Sequence, residues 1–384
     1  MDSSAQARYY IHSNTLTTYM ESPGKRSWRK FRRNWPAMLG LGYAILCLIV
    51  AILAYPLAPD ASTHANFQII ELAKQPPGTQ AWILLEPTPQ REESWTWVFT
   101  GKNPPGLPHV LQDSASVRIE NDRVYFTRLS GAEDYLNLDR FGAENQSLNL
   151  EDFTARYVQP IHYRLGSDSF GRDLLSRIML GARVSLAVGL ISVLISLLIG
   201  ITLGTLAGYL GGWVDAFVMW FISVMWSLPT LLLALAISFV LGKGFWQVFV
   251  AIGVSMWVDV ARIVRGQILS LREQNFAEAA EALGYKKPRI MFRHILPNVV
   301  SPIIVVAVAN FGAAVLIEAG LSFLGIGVEL PIPSWGSMIS EAYTYIVFET
   351  GKWLAIFPGL ALVLLVVSIN LIGIGLRDAL DVRM

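Results

Sequence analysis

The chain has 384 residues, 53% of them hydrophobic and only 15% charged, with a net charge of +1. Soluble domains carry about 25% charged residues, so this balance fits a membrane protein and supplies no bulk field for nucleic acid. The lone cysteine, Cys47, excludes an internal disulfide and a cysteine-rich metal site, the five histidines form no HxxxH pair, and no GxxxxGK[ST] phosphate loop occurs.

Six apolar stretches are long enough to cross about 30 Å of hydrocarbon. They are 37–58, 184–207, 214–241, 245–264, 299–324 and 353–376. The first follows a basic cluster of Lys25, Arg26, Arg29, Lys30, Arg32 and Arg33. It is too long for a signal-peptide core and lacks a small-residue cleavage site, so it is expected to remain as an anchor. Lys and Arg number seven in residues 1–36, seven in 262–298 and two in 377–384, against only Lys243 and Lys352 in the short loops of the other side. That asymmetry predicts both termini and the 262–298 segment in the cytoplasm.

Residues 59–165 form an acidic insert rich in tryptophan and proline, with fourteen Asp and Glu against nine Lys and Arg over 60–165. SVRIENDRVYFTR (116–128) alternates apolar and polar residues around Asn121-Asp122, which predicts a two-residue hairpin. SWTWVFTG (94–101), ended by Gly101 and then Pro104-Pro105, reads as an aromatic-rich strand. Trp82, Trp95, Trp97, Phe99, Tyr125 and Phe126 need something to pack against, so the insert is expected to be folded and extracytoplasmic.

Over 166–182, Leu174, Leu175, Ile178 and Met179 make one stripe, and Arg172, Asp173, Ser176 and Arg177 the opposite face. This pattern predicts an amphipathic helix lying in the membrane interface, with its leucines toward lipid and a bend at Gly181 into the second span. Asp215 lies at the mouth of the third span and Pro229 predicts a kink within it. Asp259 and Arg262 are three apart and suited to pair on one helix face.

NFAEAAEALGYKKPRIMFRHILPN (275–298) sits between two spans. Phe276, Ala279, Ala280 and Leu283 fall at i, i+3, i+4 and i+7, the apolar stripe of a short helix. Glu278 and Glu281 suit the positive end of its dipole, and Gly284 is placed to close it in the left-handed conformation. Lys286, Lys287, Arg289 and Arg293 follow, and Pro297 starts the turn into the next apolar run. Glu318 lies nineteen residues past Val299, about 28 Å along a helix. There it is either a hydrated or hydrogen-bonded interfacial carboxylate or a carboxylate at an outer gate.

Glu278-Ala279-Ala280, three residues, Gly284 and then Leu296-Pro297 resemble the EAA loop of ABC importer permeases; His294 stands where that family's consensus has isoleucine. The wording RHILPN (293–298) is similar to the peptide-importing branch. LGSDSFGRDLLSRIMLGARVSL (165–186) resembles a segment of the peptide, nickel and glutathione importers, as do GYLGGWVD (208–215), EAGLSFLGIG (318–327), PSWGSMI (333–339) and LRDALDVR (376–383). The likeness covers 25–58 and 160–384. One departure is Met219-Trp220-Phe221-Ile222-Ser223, uncharged where the family often has MRxxD.

The resemblance is to the C-type permease subunit of an oligopeptide or dipeptide importer. It implies an all-α polytopic membrane protein of the type I importer permease fold, with six transmembrane helices and, here, a β-containing insert between the first two. It implies a permease core over 183–376 whose coupling loop, 270–298, docks on an ATPase through Glu278, Ala279, Ala280, Gly284, Leu296 and Pro297, with Arg272 and Arg289 as weaker flanking candidates. It implies no enzymatic activity and no cofactor or metal in this chain, ATP being bound by partner subunits. The implied partners are a second homologous permease, two ATPases, an extracytoplasmic substrate-binding protein and membrane lipid, with no nucleic acid. The implied location is the bacterial inner membrane. Nickel chelates, glutathione or another small solute are the alternative cargoes, and a non-transporting receptor or scaffold is the alternative class.

Overall fold

The computed structural model describes residues 23–88, 95–142, 149–242, 244–346 and 351–380. The basic cluster lies on helix α1 (Pro23–Arg33). Asn34 then starts α2 (Trp35–Ile52) by accepting the Ala37 amide at 3.2 Å, with a proline in the first turn, where no amide is needed. A single turn, α3 (Ala54–Leu57), ends the apolar stretch expected over 37–58.

The chain next forms two small antiparallel sheets. The first has the order β2-β1-β6, with β1 (Thr79–Glu86) central between β2 (Leu107–Leu111) and β6 (Val158–Tyr163). Trp82 is level with Leu111 on one side, and Thr79 with Tyr163 on the other. Side chains of β1 alternate: Ile83 and Leu85 pack with Ile69, Leu72 and Val110, whereas Leu84 joins Leu111, Phe126, Phe141 and Phe153 in a second cluster. The other sheet holds β3 (Arg118–Glu120), β4 (Arg123–Thr127) and β5 (Glu133–Asn137). The β3–β4 hairpin turns at Asn121 and Asp122, with φ of 49° and 59°, the left-handed pair that a type I′ turn requires. The helix α5 (Leu150–Tyr157) leads directly into β6.

The strand expected over 94–101 is instead a helical turn, α4 (Trp97–Thr100); residue 94 lies outside the described residues. The Gly101 amide donates to the Trp97 carbonyl at 2.8 Å, and Arg183 donates to the Phe99 carbonyl at 3.0 Å. With local and side-chain partners satisfying its backbone, the segment forms no strand.

The longest helix, α6 (Leu174–Leu210), has 37 residues, and Asp173 caps it by accepting the Ser176 amide at 2.8 Å. It runs through Gly181 as one helix, so the expected interfacial helix with a bend there is not formed. Leu174 is buried, and so is the polar face of Arg172, Asp173, Ser176 and Arg177. That face can be buried because Asp168 and Glu341 neutralise it within the protein.

After α6 come α7 (Gly212–Trp226) and α8 (Thr230–Leu241), which differ in direction by 94°. The break falls at Pro229, which has no amide to offer a continuing helix; it is a corner rather than a kink. Then follow α9 (Phe245–Ser255) and α10 (Trp257–Arg272). Gly200, Gly204 and Gly208 line the face of α6 that meets α10, and a Cβ at Gly204 would lie 2.5 Å from the Ala261 carbonyl oxygen. Side chains this small let two helix backbones touch. Asp215 pairs with Arg265 at 2.5 Å, joining α7 to α10. The expected Asp259–Arg262 pair is not formed among the described residues. Arg262 instead lies 3.5 Å over the Trp226 ring, at the corner before Pro229.

The chain continues through α11 (Asn275–Ala282) and α12 (Lys287–Ile290), then a π-helical turn over Met291–Ile295 into α13 (Leu296–Phe323). A short α14 (Trp335–Ala342) precedes α15 (Lys352–Leu380). Among the described residues, five helical units are long and apolar enough to cross a membrane, and a sixth is reached if the bent α7–α8 pair counts as one.

Candidate functional site

The helix α11 stands two residues beyond the end of α10. Its inner face is Ala277 and Ala280, both buried. Ala280 packs with Val264, Ile268, Ile290, Ile295 and Val299, which fastens α11 to α10 and to the foot of α13. Its outer face carries Phe276, Ala279 and Leu283, with Phe276 39% and Leu283 72% exposed. The expected four-residue stripe is thus split, Ala280 serving the interior and the other three facing out. Glu278, in the first turn, is also exposed.

Gly284 closes the helix at φ 75°. Its amide donates to the Glu281 carbonyl at 2.9 Å and the Tyr285 amide to the Ala280 carbonyl at 3.2 Å, the paired bonds of a Schellman stop. No atom lies within 4 Å of where its Cβ would be, so glycine is required here by backbone conformation and not by space. The Tyr285 ring is met by Arg289, 4.5 Å from its centroid, and by His294, 5.9 Å away and nearly parallel.

Leu296 is half-buried and Pro297 exposed in the first turn of α13. Pro297 does not begin a loop. Lacking an amide, it cannot complete a regular turn, and the π-helical turn over Met291–Ile295 precedes it. Glu278, Ala279, Ala280 and Gly284 therefore share one helix, while Leu296 and Pro297 sit at the base of the next and reach it through Ile290 and Ile295. Arg272 donates to the Tyr209 carbonyl at 3.3 Å, tying the end of α10 to the end of α6. A cavity of about 370 Å³ on this flank is lined by Arg272, Lys287, Glu273, Glu278 and Glu281. Arg289 serves Tyr285 rather than the outer face of α11.

Glu318, the outer-gate candidate, lies inside the chain. It is 0% exposed, and one carboxylate oxygen accepts from Ser322 at 2.7 Å. A Cβ at Gly336 would lie 3.2 Å from its Oε2, which places the carboxylate at the start of α14. There the helix dipole favours negative charge. Ser334 and Ser337 form a capping box on that same turn. Glu318 is thus a buried, hydrogen-bonded carboxylate in this structure.

Sequence reasoning missed a second polar cluster. Arg172 is 1% exposed and bonds Asp168 at 2.5 Å, Glu341 at 3.0 Å and the Asn66 side chain at 3.2 Å. Arg177, fully buried, lies 3.4 Å from Asp168 and 3.7 Å from Glu341. Burial pushes the Glu341 carboxyl above the ordinary carboxylate range, against the pull of Arg177 and Arg172. The cluster joins the segment before β1, the start of α6 and α14. Its signal was present in GSDSFGRDLLSR, where charges at 168, 172, 173 and 177 alternate in sign too regularly for a lipid-facing helix.

Residues 200–384 match the family described as "Binding-protein-dependent transport system inner membrane component", and residues 22–77 match the "N-terminal TM domain of oligopeptide transport permease C". The dipeptide transport system permease protein DppC of Alkalihalophilus pseudofirmus is 45% identical over 219 residues, 57% of this chain and 71% of that protein. The glutathione transport system permease protein GsiD of Pectobacterium atrosepticum is 42% identical over 253 residues, 66% of this chain and 79% of that protein. Among solved structures, a chain of the inward-facing MetNI methionine ABC transporter is 21% identical with a TM-score of 0.45, covering 54% of this chain and 96% of that one. Its identity to the DppC and GsiD permeases over more than two thirds of their length shows that the chain belongs to the binding-protein-dependent ABC transporter permeases, multi-pass inner-membrane subunits that are not themselves enzymes.

Proposed function

We propose that the chain is the permease subunit of an ATP-driven importer for peptides. It supplies half of a translocation pore and docks on an ATPase through the outer face of α11. The observation that carries this reading is the exposed apolar strip of Phe276, Ala279 and Leu283 on a helix whose other face is buried. A strip of that kind, left uncovered at the end of a polytopic bundle, marks a partner surface. The Lys and Arg asymmetry supports six spans with both termini and α11 in the cytoplasm and the two sheets outside. A second permease, two ATPases and an external binding protein complete the assembly in this reading. ATP binding moves the ATPases, α11 moves with them, and the spans alternate access. The shift available equals the difference in ATPase affinity between the two permease states.

The experiment is purification of the assembled complex carrying Phe276→Asp and Leu283→Asp. Both side chains point outward, so the chain should still insert while the ATPase subunits no longer co-purify. Retention of the ATPases by the double variant would sink the docking role. Uptake of labelled dipeptides into proteoliposomes holding the full assembly and its binding protein tests the cargo. Uptake of glutathione without dipeptide uptake would move the assignment to the cargo named for the GsiD relative.

A further inference from the structure

The helix α1, PGKRSWRKFRR, carries six cations and no acid. At 3.6 residues per turn, Lys25, Arg26, Arg29, Arg32 and Arg33 fall on one face and Phe31 on the opposite one. The apolar side is already occupied. Phe31 is buried with Ala37 in the first turn of α2 and Ala379 in the last turns of α15. A Cβ at Gly375 would lie 3.1 Å from the Phe31 ring, so α1 seats closely on α15.

That seat sets the depth of α1. Both α2 and α15 are long and apolar enough to cross a membrane. They meet α1 where the first begins and the second ends, and Arg377 and Asp378 are exposed on the last turn of α15. The helix therefore stands at the boundary between hydrocarbon and water. Trp28 on α1 and Trp35 just after it are 52% and 72% exposed, and tryptophan is the residue type that settles at headgroup level.

The basic side is open. Lys25, Arg26, Arg32 and Arg33 are exposed, and among the described residues they take part in no ion pair. Arg29 and Lys30 have contacts of their own. Each Lys or Arg held near an anionic membrane surface strengthens attachment about fivefold. A zwitterionic headgroup has no net charge with which to answer four such cations, whereas an anionic one does.

We propose that the basic face of α1 binds the headgroups of anionic phospholipids in the leaflet it abuts, which clamps α1 over the ends of α2 and α15. The occupant follows from charge complementarity at headgroup depth. The proposal does not rest on the import reading, because lipid binding needs neither ATPase nor cargo.

The test is hydrogen exchange of the full chain in nanodiscs of phosphatidylcholine alone or mixed with phosphatidylglycerol in equal parts. Exchange over 24–33 should be at least about fivefold slower in the mixed bilayer, the factor for a single such cation, and exchange over 118–127 should not change. The difference should vanish at about 1 M salt, where charges are screened beyond about 3 Å. Lys25→Gln, Arg26→Gln, Arg32→Gln and Arg33→Gln together keep good helix formers and should abolish it as well. Equal exchange in the two bilayers overturns the proposal, as does a difference that the fourfold variant retains. The same slowing by inorganic phosphate in phosphatidylcholine would overturn it in favour of a free-anion site. Slowing produced only by added ATPase subunits would overturn it in favour of a protein partner. If the fourfold variant does not insert, the two bilayers and the salt series on the unaltered chain decide.

Discussion

His294 lies flat against Tyr285, with ring centroids 5.9 Å apart and planes inclined by 12°. The histidine stands in the π-helical turn before α13 and the tyrosine just past Gly284, so the stack pins the turn that ends α11 to the base of the next span. An aromatic pair of this kind contributes about 0.5–1.5 kcal/mol beyond its buried area. His294→Ile, which installs the consensus residue of the EAA loop, removes the stack and puts an apolar side chain in its place. Faster hydrogen exchange over 284–290 with an unchanged melting temperature is expected; unchanged exchange would deny the stack its role.

Gly284→Val should leave insertion intact and separate ATP hydrolysis from uptake. The left-handed backbone costs a residue with a Cβ about 1–2 kcal/mol, and no neighbouring atom adds a clash. The expense therefore falls on the helix stop alone. Proteoliposome assays of hydrolysis and uptake on the same preparation measure the ratio, which should rise several-fold in favour of futile hydrolysis.

Gly204→Leu should destabilise the bundle outright. The new side chain would have to enter the contact with the Ala261 backbone, where even a Cβ meets oxygen at 2.5 Å. Overpacking typically costs about 1–3 kcal/mol, and a backbone wall cannot rotate aside. A lowered melting temperature in detergent is the readout. Gly266→Leu, where a Cβ meets no atom within 4 Å, is the control and should melt close to the unaltered protein.

Arg172→Met should be among the most damaging removals of a buried charge in the chain. It strips Asp168 and Glu341 of their closest cation while both carboxylates stay within the protein. Breaking a buried pair from one side costs about 3–5 kcal/mol. Loss of folded protein on size exclusion, partly restored by adding Asp168→Asn and Glu341→Gln, is the expected pattern.

Glu341 should also leave a mark on the pH dependence. Its carboxyl pKa is raised by burial in the folded chain. The folded state therefore holds that proton more tightly than the unfolded state does. The resulting stability is complete below the unfolded carboxyl value and is lost as pH rises through the raised folded value. Melting temperatures measured across the mildly acidic range should fall more steeply with rising pH in the unaltered chain than in Glu341→Gln. Parallel curves would remove Glu341 from the account.

Features set by neighbours in the chain were legible beforehand. Apolar length marked the long helices, Asn121-Asp122 marked the hairpin, and Gly284 marked the end of α11, because each depends on a few consecutive residues. What escaped depends on distant partners. Periodicity drew two faces on 172–179 but could not tell which was covered, because Glu341 lies 169 residues beyond Arg172. Asp259 and Arg262 looked like a pair by spacing, whereas the ion pair formed is Asp215 with Arg265, 50 residues apart. Glu318 stands on the expected helix, but its surroundings come from the turn at Ser334–Gly336.

The glycine face of α6 has a mechanical meaning. At Gly200, Gly204 and Gly208 the α6 backbone meets the α10 backbone and the side chains of Val260, Val264 and Ile268 directly, so the two helices are locked together as one strut. One end of that strut carries α11 two residues on, and the other is clasped by Arg172, Arg177 and Asp173 beside the first sheet. A displacement of α11 would thereby be carried along the 37-residue helix to its far end, where Arg172 and Asp173 stand.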